Sequence, residues 1–340
     1  MPVPPATSEP SQRPRTLAFV LIPEFSLVTF ACAIEAFRMA NDRSDGPLFT
    51  WKLLGIQKKE VQANCGLRFT ADDVIGTEDH WDIVFIVSSL TSVNFDDPKL
   101  SAWLRRMARD GVAIAPLGAA TVLAARLGLL DDHQCVTHWR LYGDFLERFP
   151  RVHLGRGLYC VDRKRLTCAG GFAAMDLGLT IVSSIVDAPL AAELAEISMI
   201  SRIRGPTENQ RMSIQWRYGV NDKRIALAIE LMEKYIEEPL TLGDIAERTG
   251  VSIRQMERLF ERYLGKSPQR HYVETRLHHG HQLLTDTNES ILTVALKCGF
   301  SDAAHFTRQF KALFASTPAA TRTLWRARFT LPFHEDDPDI

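Results

Sequence analysis

A short residue pattern occurs twice in the second half of this chain, and it limits the fold of that half more than any other feature. Asp244-Ile245-Ala246-Glu247-Arg248-Thr249-Gly250-Val251-Ser252 matches Thr293-Val294-Ala295-Leu296-Lys297-Cys298-Gly299-Phe300-Ser301. Each copy has an apolar residue, Ala, three residues, Gly, an apolar residue and Ser. A helix-turn-helix gives each position a mechanical reason. Alanine is small where two helices cross closely, glycine supplies a left-handed turn residue, and serine caps the helix that follows. The match continues downstream, now at an offset of 50 residues: Arg258-x-Phe260 with Arg308-x-Phe310, and Leu264-Gly265-Lys266-Ser267-Pro268 with Phe314-Ala315-Ser316-Thr317-Pro318.

Between the two units the pattern predicts a helix from about Gln269 to Leu284, roughly 24 Å long at ~1.5 Å per residue. Such a connector can hold two recognition helices in successive major-groove turns of DNA, which lie ~34 Å apart. On the first helix Arg254, Glu257, Arg258 and Glu261 share one face, with Met256, Leu259, Phe260 and Tyr263 opposite. On the second, Ala304, His305, Thr307, Arg308 and Lys311 point out while Phe306, Phe310 and Phe314 point in. With Ser252, Gln255 and Asp302 at the helix starts, these are the residues expected to meet double-stranded DNA. The alternative is a helical bundle whose repeat merely packs helices. One Ala-x-x-x-Gly would not separate the two, but two aligned copies with matching Arg, Phe and Pro favour DNA.

The charge distribution agrees. The net charge is −1 over 340 residues, but residues 1–200 carry 20 basic against 23 acidic side chains and residues 201–328 carry 20 against 14. Any polyanion is therefore expected on the back half. The final segment, 329–340, is an acidic tail with Glu335, Asp336, Asp337 and Asp339. Residues 1–15 are proline-rich and are expected to be a disordered leader. The front half reads as strand 16–22, helix 27–41, strands 49–56 and 83–88, helix 98–109, strand 112–117 and helix 119–127, with a further helix, 172–186. That alternation predicts a flavodoxin-like α/β domain over 16–204, a parallel sheet with helices on both faces. Residues 205–221 lack a clear period and are expected to be the linker, followed by an all-α domain over 222–328 with two helix-turn-helix units.

With 46% apolar and 24% charged residues the chain has the composition of a globular protein. Its longest apolar runs have strand length, too short for a membrane span, and no secretory signal opens it. Six scattered cysteines form no close metal-ligand pair and suit a reducing, cytoplasmic setting. Neither a metal nor a cofactor is implied.

Residues 222–328 resemble the DNA-binding domain of the AraC/XylS family, including its G-F-x-x-x-x-x-F-x-R-x-F-K signature at Gly299 to Lys311. The resemblance implies a bacterial transcription regulator that binds promoter DNA and engages RNA polymerase, with an activator favoured over a repressor. One departure is Ala315 where a glycine is usual. A left-handed alanine costs on the order of 1 kcal/mol against glycine, so that helix end is expected to close differently. Arg254 and Arg258 are expected to make base contacts, and Glu257 to accept from a cytosine.

The front half resembles the PfpI-like branch of the class I glutamine amidotransferase-like superfamily, and its fusion to the back half resembles the GlxA-type regulators. The residues that carry this are Leu21-Ile22-Pro23-x-Phe25-Ser26, Glu35-Ala36-Phe37-Arg38-x-Ala40-Asn41, Leu123-Ala124-x-x-Leu127-Gly128-Leu129-Leu130-Asp131, Thr137-His138-Trp139 and Ala169-Gly170-Gly171-x-Ala173-Ala174-x-Asp176-Leu177. Enzymes of that branch place a cysteine at a strand-to-helix elbow and an acidic residue on the first loop. Here those positions fall on Gly118 and Thr29, so the resemblance implies a catalytically inactive domain. The same mouth is expected to bind a small effector through Phe25, Thr29, Gly118, Ala119, His138 and Trp139. A helix N-terminus would face a carboxylate and aromatic rings would face an ammonium group, as in an amino acid, a betaine or a carnitine. Core packing of Phe25 and Trp139, a structural role for His138, and a domain kept only for homodimerisation stand as alternatives. Cys135 and Cys168 read as small buried hydrophobes. The competing function is an active PfpI-like hydrolase or glyoxalase fused to a DNA-binding domain.

Overall fold

A computed structural model describes residues 13–77, 80–287 and 289–329. The chain divides into two compact units, residues 1–210 and 211–340.

In the front unit the elements run β1 (Arg15–Leu21), α1 (Leu27–Asp42), β2 (Phe49–Gly55), β3 (Glu60–Gln62), β4 (Arg68–Thr70), β5 (Asp73–Val74), β6 (Ile83–Val87), α2 (Pro98–Arg109), β7 (Ala113–Leu117), α3 (Ala120–Arg126), β8 (Gln134–Val136), α4 (Tyr142–Arg148), β9 (His153–Gly155), β10 (Tyr159–Asp162), β11 (Arg165–Cys168), α5 (Ala173–Ile185) and α6 (Ala188–Ile197). Seven strands form one sheet in the order β10-β11-β7-β6-β1-β2-β5. All neighbours are parallel except β10 against β11. The continuous apolar runs explain why the central strands are buried on both faces. In β1, Leu17, Phe19 and Leu21 enter one core with Phe37 and Leu177, while Ala18, Val20 and the following Ile22 enter the other with Leu104 and Leu123. The α/β expectation holds. The short pairs β3–β4 and β8–β9 and the edge hairpin β10–β11 were not anticipated, because three or four residues carry no readable period.

The back unit is helical: α7 (Ile214–Tyr218), α8 (Lys223–Lys234), α9 (Leu242–Thr249), α10 (Ile253–Leu264), α11 (Pro268–Asp286), α12 (Ile291–Lys297), α13 (Ala303–Phe314) and α14 (Pro318–Phe329). Two small cores serve it, one around Ile229, Ile245, Met256 and Phe260 and the other around Leu277, Val294, Phe306 and Phe310. The stretch 205–221, expected as a linker, is taken up at both ends. Gln210 is bonded into the front unit, and α7 buries Ile214 in the first helical core. Of the expected leader, residues 1–12 lie outside the described residues, and Arg15 already opens β1. Residues 330–340 of the acidic tail also lie outside them.

Candidate nucleic-acid interface and the front-unit elbow

Each helix-turn-helix begins from local chemistry. Gly250 ends α9 with φ +67°, and Ser252 caps α10, its Oγ accepting the Gln255 N–H while Gln255 Oε1 accepts the Ser252 N–H at 3.0 Å. Both side chains are thus engaged in starting the helix. In the second unit Gly299 takes φ +70°, but the cap is not Ser301, as the repeat suggested. Asp302 performs it, accepting the His305 N–H at 2.7 Å. One extra residue in the second turn moves the cap along, and this is where the longer offset arises. The Asp302 carboxyl is held below its ordinary pKa, chiefly by that His305 N–H and then by the Ser301 hydroxyl.

Beyond the caps, Arg254, Glu257 and Arg258 are exposed on α10, opposite the buried Met256, Leu259 and Phe260. On α13, Ala304, Arg308 and Lys311 are exposed, His305 and Thr307 are half-buried, and the His305 ring lies edge-on to Phe300 at 5.4 Å. Ile253 on α10 and Gln309 on α13 are also exposed and were not singled out. Ala315 corrects an expectation: it adopts φ +54° and its N–H bonds Lys311 O at 3.0 Å, the same closure that Gly265 makes with Glu261 O. The helix end closes identically, and the alanine bears the strain. Sequence reasoning also missed Arg276. From the connecting helix α11 it donates to Cys298 O at 2.7 Å and Gly299 O at 2.6 Å, and it covers the Phe300 ring at 4.3 Å, so it clamps the second turn.

At the front-unit elbow, Gly118 follows β7 with φ +65°, and its N–H donates to Cys168 O at 2.8 Å. The sharp turn is present and has no side chain on it. The expected mouth needs correction in four places. Phe25 is fully buried, packed edge-on to Phe30 and Phe69 at 5.8 and 5.5 Å, because the β3–β4 hairpin lies over it. Thr29 is buried too, its hydroxyl accepting the Gly171 N–H at 2.8 Å and donating to Ser26 Oγ at 3.0 Å. It staples two loops together. Gly118 and Ala119 are likewise buried. Only His138 and Trp139 of the six are half-exposed. Burial pushes the His138 imidazole down to about 4, so it is neutral, and its Nδ1 accepts the Arg140 N–H at 3.3 Å. Burial raises the Cys135 and Cys168 thiols to about 12, so neither is a ready thiolate.

Two further residues of this unit were given no role by the sequence reading. Asp176 is buried and binds Arg204 through its main-chain N–H at 2.8 Å and its guanidinium at 2.7 Å, fixing the chain after α6 onto α5. Gln210 reaches Thr137, Trp139, Tyr142 and Gly157 at once.

A parallel α/β unit joined to a helical unit with two helix-turn-helix motifs defines a class of transcription regulator. A family model described as a helix-turn-helix domain matches residues 245–323. The chain is 34% identical to the HTH-type transcriptional regulator CdhR of Pseudomonas aeruginosa, over 90% of this chain and 91% of that one. It is 30% identical to the HTH-type transcriptional regulator GlxA of Rhizobium meliloti, covering 93% and 98%. An AraC family transcriptional regulator from Pseudomonas putida superposes with a TM-score of 0.50 at 28% identity, covering 54% of this chain and all of that one. The chain belongs to the AraC-type transcription regulators of the GlxA kind. Among the described residues no helix is long and apolar enough to cross a membrane.

Proposed function

We propose that this protein switches transcription at specific promoters in response to a small metabolite sensed by a front unit that performs no catalysis. One observation carries the reading: two capped helices, α10 and α13, each present unpaired cationic side chains outward, while the enzyme-like elbow ends in a bare Gly118. The side chains of Arg254, Arg258, Arg308 and Lys311 form no hydrogen bond or ion pair among the described residues, which suits phosphate and base contacts. Homodimers, an activating role, contact with RNA polymerase and a cytoplasmic location follow from the family resemblance and belong to the same proposal. Elevated thiol pKa values and the missing elbow nucleophile argue against the hydrolase or glyoxalase reading.

Selection of genomic fragments by the full-length protein, followed by affinity measurement against salt, tests the reading. A defined site bound ~10³-fold or more over random DNA, with a steep loss of affinity on adding salt, is expected. Binding without sequence preference would overturn it.

A further inference from the structure

The Gln210 carboxamide lies in a ring of groups with more acceptors than it has hydrogens. Its Nε2 is 2.9 Å from Thr137 O, 2.7 Å from Tyr142 Oη and 2.7 Å from Gly157 O, and its Oε1 accepts the Trp139 N–H at 2.8 Å. Backbone carbonyls only accept and a backbone N–H only donates, so these partners fix which way the amide points. An amide nitrogen carries two hydrogens, yet three oxygens converge on it. The Thr137 hydroxyl, on one of the ring residues, is fully buried and has no hydrogen-bond partner among the described residues. The ring is tightly built: a Cβ on Gly157 would fall 1.9 Å from Pro206 O, in the segment that leads to Gln210.

We infer that this ring is a recognition point for a primary ammonium group with a neighbouring hydrogen-bond acceptor, as in an amino acid, and that Gln210 is its internal stand-in. An –NH3+ group brings three N–H donors to the three oxygens, and the acceptor takes the Trp139 N–H. A quaternary ammonium has no N–H to offer. It would leave the buried carbonyls of Thr137 and Gly157 without donors, a penalty that selects against betaines and carnitines at this point. The inference rests on the sensor reading above and narrows its effector to the ammonium class. It also supplies a link to output, because Gln210 is the last residue of the front unit and Arg211 the first of the back unit. A ligand that displaces the amide releases the main chain at that boundary, and until then Gln210 lowers apparent affinity as an internal competitor.

Full-length Gln210→Ala leaves the ring empty and is probed with methylammonium chloride and tetramethylammonium chloride at matched ionic strength. Methylammonium is expected to raise its melting temperature saturably, with a half-saturating concentration ~10-fold or more below that of tetramethylammonium and of methylammonium on the wild type. Adding Tyr142→Phe, which removes one acceptor, should weaken the methylammonium response several-fold. Equal responses to the two cations, or equal responses of wild type and variant, would overturn the site. If Gln210→Ala does not fold, Gln210→Ser also vacates the ring, because its side chain is too short to reach these partners, and carries the comparison. The affinity of the variant for a selected DNA site, expected to change ~5-fold or more, is a separate readout. Unchanged affinity alongside intact methylammonium rescue would overturn the link to the back unit alone. Failure of the wild type to select any DNA site would instead fault the regulator reading.

Discussion

The two helix-turn-helix units of the back half turn the chain in the same way with different surroundings. At Gly250 a Cβ would meet nothing within 4 Å, whereas at Gly299 it would fall 2.5 Å from Ile236 O and 2.6 Å from Pro239 Cγ. The first turn has open space beside it. The second is pressed onto the segment between α8 and α9 and is also clamped by Arg276. The shared letters thus specify backbone conformation in both units, and packing decides how rigidly each is held.

Alanine substitution separates these two effects most strongly. Gly250→Ala carries only the left-handed backbone penalty, about 1 kcal/mol. Gly299→Ala adds a backbone overlap that a side-chain rotation cannot relieve, so a loss of about 3 kcal/mol or more is expected. Chemical denaturation of the full protein, following the back unit, compares the two. Equal losses would mean that the second turn relaxes away from Ile236 without cost.

DNA affinity tests whether the two units share the load. Arg258→Ala and Arg308→Ala are each expected to weaken binding to a selected site by about 1–3 kcal/mol at fixed salt, with unchanged folding stability. Both residues are exposed and without partners among the described residues. An effect from one variant only would show that the second copy is a scaffold. Unchanged affinity from both would show that the groove faces another side of these helices.

The same contrast explains what was legible beforehand. Turn glycines and the amphipathic faces of α10 and α13 are local codes, so both units could be read from the residues alone, although the repeat put the second cap one residue early, at Ser301 in place of Asp302. The front strands were legible for the same reason, as apolar runs of buried-strand length. The expected effector mouth was not, because burial of Phe25 depends on Phe69 from a hairpin of three-residue strands, and Thr29 is consumed by Gly171 far along the chain. Gln210 sits in a polar stretch with no period, and its partners lie 53 to 73 residues away. Only the folded chain brings them together.

The two caps differ in their response to acid. Asp302 has its pKa depressed in the folded state, so its contribution is present above the unfolded value and is lost as pH falls through the lowered folded value. Ser252 has nothing to titrate. In an NMR pH titration the His305 amide should move with a midpoint below that of an ordinary aspartate while the Gln255 amide stays flat. Parallel movement of both would mean that global unfolding, not the cap, is being observed. Asp302→Ser should abolish the His305 transition and make the second unit behave like the first.

The smallest effect concerns the helix ends. Gly265 and Ala315 close α10 and α13 through the same left-handed geometry, at φ +63° and +54°. Alanine pays for that conformation in the folded state, whereas glycine pays in the unfolded chain by having more freedom to lose. The first cost exceeds the second where φ is positive, so Ala315→Gly is expected to stabilise the second unit by about 0.5–1 kcal/mol. Gly265→Ala should destabilise the first by a similar amount. Opposite signs of similar size would show that the two ends are interchangeable in geometry and differ only in strain. A neutral Ala315→Gly would mean that contacts of the Ala315 methyl group offset its backbone cost.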